Sequence, residues 1–198
     1  VNSGVRADDR ALIFVTLDMA FMAGLAYYEG LRAIGAETMR LGASVLHQAP
    51  ALMSQLNQTV LIGVPSFFIR LSQELETSKV SVDRPRVLIC IGESLLNEDL
   101  SPGRLYKKLR ASWPGSVIVS SWGNTELQSS VSWCYQSAER MLNGGPGPGG
   151  HVHEDLLHIE ILDDMGNPVR EGEVGELAAT PLRVQGLPLR RFRTGDMI

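Results

Sequence analysis

The chain has 198 residues, 44% hydrophobic and 20% charged, with a formal net charge of −4 and a mean hydropathy near zero. That length supplies one substantial domain, alone or with a small appendage, able to bury about 70% of its unfolded surface. The composition excludes disordered and fibrous classes, the charge argues against nucleic acid or an anionic membrane as partner, and no apolar run approaches the ~20 residues that span a bilayer.

The first expected element is a strand over residues 11–17, followed by a helix with Asp18 as cap and Met19, Met22, Ala23, Ala26, Gly30 and Ile34 at helical spacing. Alternation continues with a strand at 44–46, a helix around 50–58, a strand over 59–64, and a helix opened by Pro65 and carrying Phe68, Leu71 and Leu75. A strand at 86–91 follows, then a helix capped by Ser101 with Pro102 in its first turn, then a strand at 116–120. Repeated strand and helix with nearly continuous apolar strands predicts an α/β fold, a mostly parallel sheet with helices on both faces. Such sheets bind ligands at the carboxyl ends of their strands. Two polar, glycine-containing turns fall there: Gly92-Glu93-Ser94, and Ser121-Trp122-Gly123-Asn124-Thr125-Glu126.

Residues 143–150, Asn-Gly-Gly-Pro-Gly-Pro-Gly-Gly, can continue neither helix nor strand and predict a loop. It divides the chain into an α/β unit over 1–142 and a β unit over 151–198. In the second unit Leu157, Ile159 and Ile161 alternate, residues 163–167 turn, and strands around 173–180 and 189–192 complete a small antiparallel β subdomain.

The turn after the strand at 116–120 combines close backbone approach at Gly123, a hydroxyl on Thr125, a carboxylate on Glu126 suited to a divalent cation, and the flat face of Trp122. Those are the needs of a nucleotide. The same residues also read as a capping turn with Thr125 as cap and Trp122 as core. Arg190-Arg191-Phe192-Arg193-Thr194-Gly195-Asp196 pairs a basic strand with a Gly-Asp turn whose carboxylate can accept from vicinal hydroxyls. Taken alone, it also reads as an ordinary turn beside a solvated strand face.

Taken in order, these motifs carry a resemblance. Trp122-Gly123-Asn124-Thr125-Glu126 resembles the aromatic-Gly-x-Thr-Glu motif of the adenylate-forming superfamily of acyl-CoA synthetases, luciferases and nonribosomal adenylation domains. His153-Glu154-Asp155, Ile159-Glu160-Ile161, Gly172-Glu173-Val174-Gly175-Glu176-Leu177 and the run from Pro188 through Asp196 resemble the phenylacetate-CoA ligase branch. Gly63-Val64-Pro65-Ser66 and Gly92-Glu93-Ser94 precede them in the matching order.

The resemblance implies an enzyme that activates a carboxylic acid with ATP, forming an acyl-adenylate and pyrophosphate, after which the thiol of coenzyme A displaces AMP. It implies that Trp122 stacks on adenine with Gly92, Glu93 and Ser94 against the other face, Gly123 and Asn124 belonging to the same nucleotide-binding turn. Thr125 would contact the α-phosphate, Glu126 would hold Mg2+, and Asp196 would hold the ribose hydroxyls. Pro65, Ser66 and Phe67, with Gln128 and Ser129, are the candidates for the acid's tail, the acid being aryl or arylacetic. Trp122 and Ser94 depart from the family pattern, which more often has tyrosine or phenylalanine, and proline or alanine. Asn2-Ser3-Gly4 lacks the family's glycine-rich phosphate loop and its lysine, and the C-terminal domain with a catalytic lysine is not represented. The chain begins at Val1 and stops at Ile198, so a fragment unable to complete catalysis is expected, with an exposed edge that favours homo-oligomers.

Other readings stand beside this one. Cys90 and Cys134 have neither CxxC nor metal-ligand spacing, and with no secretory pattern at the N-terminus the expected compartment is the cytoplasm. His151, His153, His158 and Cys134 invite zinc, but His153 and His158 would face opposite sides of a strand, and the resemblance instead implies that His151 belongs to a Gly-x-His segment that lines the acyl pocket or shapes a turn. Met19, Phe21, Met22, Tyr27 and Tyr28 read as helix core or an acyl stripe. Lys107, Lys108 and Arg110 read as a solvated helix face or a contact for a coenzyme A phosphate. A noncatalytic nucleotide- or acyl-binding module is the alternative function. A dinucleotide oxidoreductase lacks its G-x-G-x-x-G.

Overall fold

The computed structural model describes residues 4–16, 21–99, 101–127 and 152–198. Its first apolar run forms strand β1 (Arg10–Ile13), followed by helix α1 (Met22–Ala33), strand β2 (Glu37–Arg40), helix α2 (Ala49–Leu56) and strand β3 (Val60–Gly63). Helix α3 (Pro65–Ser78), strand β4 (Val87–Ile91), helix α4 (Arg104–Ser112) and strand β5 (Val117–Ser121) complete the first sheet, ordered β2-β1-β3-β4-β5 with every pairing parallel. Strands β6 (Leu157–Leu162), β7 (Glu176–Pro181) and β8 (Phe192–Met197) form a separate antiparallel sheet. The α/β class with an appended antiparallel sheet is therefore the fold of the chain.

The side-chain alternation of the strands sorts the first core into two layers. Leu12, Leu61, Leu88 and Ile118 face Met53, Phe68, Leu71, Leu109 and Trp113 from α2, α3, α4 and its C-cap. Ile13, Ile62, Ile89 and Val119 face the other way, toward Tyr27 and Leu31 of α1. With both faces covered, β3 and β4 have no polar alternation, which is why their sequences read as unbroken apolar runs.

Several boundaries differ from expectation for local reasons. Residues 44–46, expected as a strand, belong to a 3-10 turn over Ala43–Val45, with Leu46 turned inward. The strand at this point is β2, whose sequence Glu-Thr-Met-Arg is mostly polar because it forms the sheet edge and, among the described residues, pairs only with β1. Helix α4 is capped by Gly103, not Ser101, whose hydroxyl is held by Asp99 instead. Strand β8 begins at Phe192, where residues 189–192 were expected, so the Thr194-Gly195-Asp196 motif lies within a strand and not after it. The expected cap Asp18 and the helical Met19 lie outside the described residues, as does the loop 143–150. Among the described residues, no helix is long and apolar enough to cross a membrane.

Candidate functional site

All five strands of the parallel sheet run the same way, so β3, β4 and β5 end on one side, and the polar turns follow them there. At the end of β4, Gly92 adopts φ 74°, a left-handed conformation that a side chain would strain. The next residue, Glu93, sends its carboxylate to the start of α3, accepting from the Ser66 amide at 2.8 Å and the Ser66 hydroxyl at 2.7 Å. Helix α3 has no cap from its own Val64, and a carboxylate there satisfies an orphan amide and opposes the positive end of the helix dipole. The turn expected against adenine and the helix start expected against the acid are thus joined by one side chain.

Ser94 makes a local turn, its hydroxyl bridging the Leu96 amide and carbonyl at 3.2 and 3.1 Å. Pro65 and Phe67 are buried, and the Phe67 ring lies 4.9 Å from that of Phe14. Cys90, beneath this turn in β4, has its thiol pKa raised by burial and then by the Glu93 carboxylate, which keeps it protonated and unreactive.

At the end of β5, the Ser121 hydroxyl accepts from the buried Tyr27 phenol at 2.8 Å, a tie from α1 across 94 positions. Helical spacing marked Tyr27 only as core or acyl stripe; its partner lies 94 positions away at the end of β5, which nothing local encodes. Trp122 comes next, half-buried, its ring packed against the cluster of Leu127, Leu157, Leu177 and Ala179. Its indole nitrogen donates to Oδ2 of Asp196 at 3.0 Å. In the turn that follows, the Asn124 side-chain oxygen accepts from the Leu127 amide at 3.3 Å, so Asn124 caps the 3-10 turn Thr125–Leu127 and Thr125 does not. Gly123 is exposed and Thr125 half-buried. Glu126 is exposed, and its carboxylate has no hydrogen bond or ion pair among the described residues.

Asp196 is presented by a braced stretch of β8. The Thr194 hydroxyl donates to the Leu177 carbonyl at 3.0 Å and accepts from the Asp196 amide at 3.2 Å. Glu176 takes the Gly195 amide at 3.0 Å and the Arg193 guanidinium on the same carboxylate. The Arg193 contact, and after it the Gly195 amide, holds this carboxyl below the usual range. The ladder shifts register between Glu176 and Ala178, and Gly195 takes φ 81°, a bulge that turns the strand beside Asp196. Arg191 pairs with Glu160 at 3.0 Å and donates to the Gly166 carbonyl at 3.0 Å. Two of the arginines expected on a solvated face are thus committed to ion pairs across the small sheet. Gly175, in the motif before β7, has no room for a Cβ, which would lie 2.8 Å from the Leu162 carbonyl oxygen.

Of the residues singled out in the sequence, the structure brings Trp122 to Asp196 and Glu93 to Ser66. Gln128, Ser129 and His151 lie outside the described residues. Among the described residues no three His, Cys, Asp or Glu side chains converge as a metal cluster. The residues that sequence reasoning passed over are Tyr27, as a tie to the strand end, and Glu176, as the brace for the Gly-Asp pair within β8.

A family model described as AMP-binding enzyme matches residues 1–180. The phenylacetate-coenzyme A ligase of Escherichia coli is 24% identical over 187 residues, covering 89% of this chain and 38% of its own length. That of Thermus thermophilus is 23% identical over 180 residues, covering 89% and 37%. The chain therefore spans well under half of the curated relatives it matches. Among solved structures, an open conformation of 2-hydroxyisobutyryl-CoA ligase in complex with 2-HIB-AMP and CoA superposes with a TM-score of 0.82 at 16% identity, over 99% of this chain and 44% of that one. A benzoate CoA ligase from Burkholderia xenovorans superposes with a TM-score of 0.67 at 21% identity, over 98% and 40%.

Proposed function

Because this chain belongs to the AMP-binding enzyme family, we propose that it forms the adenine and ribose side of the site in an AMP-forming acid-thiol ligase acting on an aryl or arylacetic acid. The observation that carries this reading is the hydrogen bond from Trp122 to Asp196 at 3.0 Å. It puts the aromatic face and the carboxylate, two groups that a nucleoside needs, side by side although 74 positions separate them. Adenine would lie against Trp122 and the Gly92-Glu93-Ser94 turn, and Asp196 would accept from the ribose hydroxyls. Thr125 would donate to the α-phosphate.

The chemistry of this class is attack by the acid's carboxylate on the α-phosphorus of ATP, with pyrophosphate leaving, followed by attack of the coenzyme A thiol on the acyl carbon with AMP leaving. What these residues contribute is position: an oriented nucleoside holds the α-phosphate where the carboxylate arrives, and a fixed donor meets charge as it develops. The Glu126 carboxylate, exposed and without a protein partner among the described residues, suits Mg2+, which takes one or two carboxylates and completes its shell with water and phosphate oxygens. The ion would supply neutralisation of phosphate charge.

Two measurements test the reading. In the full-length protein, ATP–pyrophosphate exchange is expected with one or more members of a panel of aryl and arylacetic acids; no exchange with any carboxylic acid removes the ligase assignment. In the chain described above, Asp196→Ala and Glu126→Ala are each expected to weaken binding of a nonhydrolysable acyl-adenylate analogue, followed by calorimetry. The Asp196 loss is about tenfold or more, from the ~1.5–3 kcal/mol of a hydrogen bond to a charged group. The Glu126 loss is expected only with Mg2+ present. Unchanged affinity in both variants removes the site assignment.

A further inference from the structure

Asp196 is exposed, and an exposed aspartate ordinarily samples several rotamers. Here one oxygen, Oδ2, accepts from the Trp122 indole, while Oδ1 makes no hydrogen bond among the described residues. The donor is itself held, since the Trp122 ring packs against the cluster of Leu127, Leu157, Leu177 and Ala179 formed between the 3-10 turn and the small sheet. The backbone behind the carboxylate is braced as well, through Thr194 on Leu177 and Gly195 on Glu176. Tryptophan is the aromatic residue that combines a large apolar body with an N–H donor; phenylalanine at this position has the body without the donor.

We propose that Trp122 is a positioning residue for sugar recognition: its indole N–H holds Oδ2 of Asp196 so that Oδ1 is kept as acceptor for a ribose hydroxyl. The inference rests on the nucleotide reading of the site, and adds to it a role for the Trp122 nitrogen distinct from any contact of the ring with the base. A preorganised carboxylate loses less side-chain freedom on binding than a mobile one. The contribution therefore belongs to ligands that carry the hydroxyls.

Trp122→Phe tests it, because the variant keeps an aromatic face and most of the apolar body and deletes the donor. Binding of a nonhydrolysable acyl-adenylate analogue is compared by calorimetry with binding of its 2′,3′-dideoxy counterpart. The expected result is a loss of about three- to tenfold for the ribose analogue, with the dideoxy analogue changed less than about twofold, and no further loss when Trp122→Phe is added to Asp196→Ala. Equal losses for the two analogues, or additive losses in the double variant, overturn the proposal and leave Trp122 as a stacking ring only.

A ligand-free measurement separates this proposal from the reading beneath it. The indole 15N–1H resonance of Trp122 is expected to move in Asp196→Ala and its solvent exchange to accelerate. A resonance that stays in place overturns the proposal whatever the nucleotide does. If it moves while the unsubstituted chain binds neither analogue, the indole–carboxylate contact stands but its role in sugar recognition is overturned together with the nucleotide reading.

Discussion

Trp113→Ala is expected to destabilise the chain by about 3–5 kcal/mol, the range for removing a large aromatic side chain from a core that relaxes only in part. Trp113 is 1% exposed and follows α4, its side chain among Phe68, Leu71, Leu109 and Ile118. Its indole nitrogen donates to the Phe68 carbonyl at 2.9 Å, so it fastens the end of α4 to α3 as well as filling space. Alanine removes both, and the shell around it comes from a strand and two helices whose backbones are fixed by their own ladders. For a chain of this size the melting midpoint should fall by roughly 6–20 °C. In urea, the transition midpoint should drop with the slope unchanged. Trp113→Phe should lose less than half as much, since it restores most of the volume and omits only the donor. A loss under ~1 kcal/mol for the alanine variant would show that the helices close over the gap.

Asp9→Ala should rank second, at about 3 kcal/mol, from the loss of a buried charged acceptor serving several donors. The Asp9 side chain is 5% exposed and takes the Arg6 amide at 2.7 Å, the Thr59 hydroxyl at 2.7 Å and the Arg86 guanidinium at 2.5 Å. Those donors come from just before β1, β3 and β4, so one carboxylate gathers the amino ends of adjacent strands on the side of the sheet away from the polar turns. Arg86 is 36% exposed and can turn to water once its partner is gone, which keeps the loss below that of a fully enclosed pair. Asp9→Asn keeps an acceptor and should lose less. A double-mutant cycle with Arg86→Ala, read by urea denaturation, is expected to be non-additive; simple additivity would mean that the two side chains do not act together. Because this cluster lies at the opposite strand ends, ligand affinity per folded molecule should change little.

Much of the architecture was legible from local pattern. The apolar runs of β3, β4 and β5, with polar turns after the last two and the proline that opens α3 after the first, are short-range signals of a covered parallel sheet. Strand β2 escaped because an edge strand buries little, so Glu37-Thr38-Met39-Arg40 has no apolar signature. Residues 189–192 read as the last strand with a Gly-Asp turn after it, because a Gly-Asp pair resembles a turn; the strand instead runs Phe192–Met197 and contains that pair. What makes them a strand is pairing with β7 and the Glu176 contacts to Arg193 and Gly195. Likewise, Asn124, Thr125 and Glu126 were readable as a turn, but the choice of Asn124 as cap depends on atomic reach.

The α/β class, the appended β unit and the two motifs at Trp122 and Asp196 can be read from the chain alone, because periodicity, glycine and proline punctuation and motif order are properties of neighbouring residues. The meeting of the Trp122 indole with Asp196, the commitment of Glu93 to the amino end of α3 and the tie from Tyr27 to Ser121 arise from folding alone. Those contacts join residues 74, 27 and 94 positions apart. They exist because strand order and the docking of the small sheet bring together groups whose own neighbourhoods carry no record of one another.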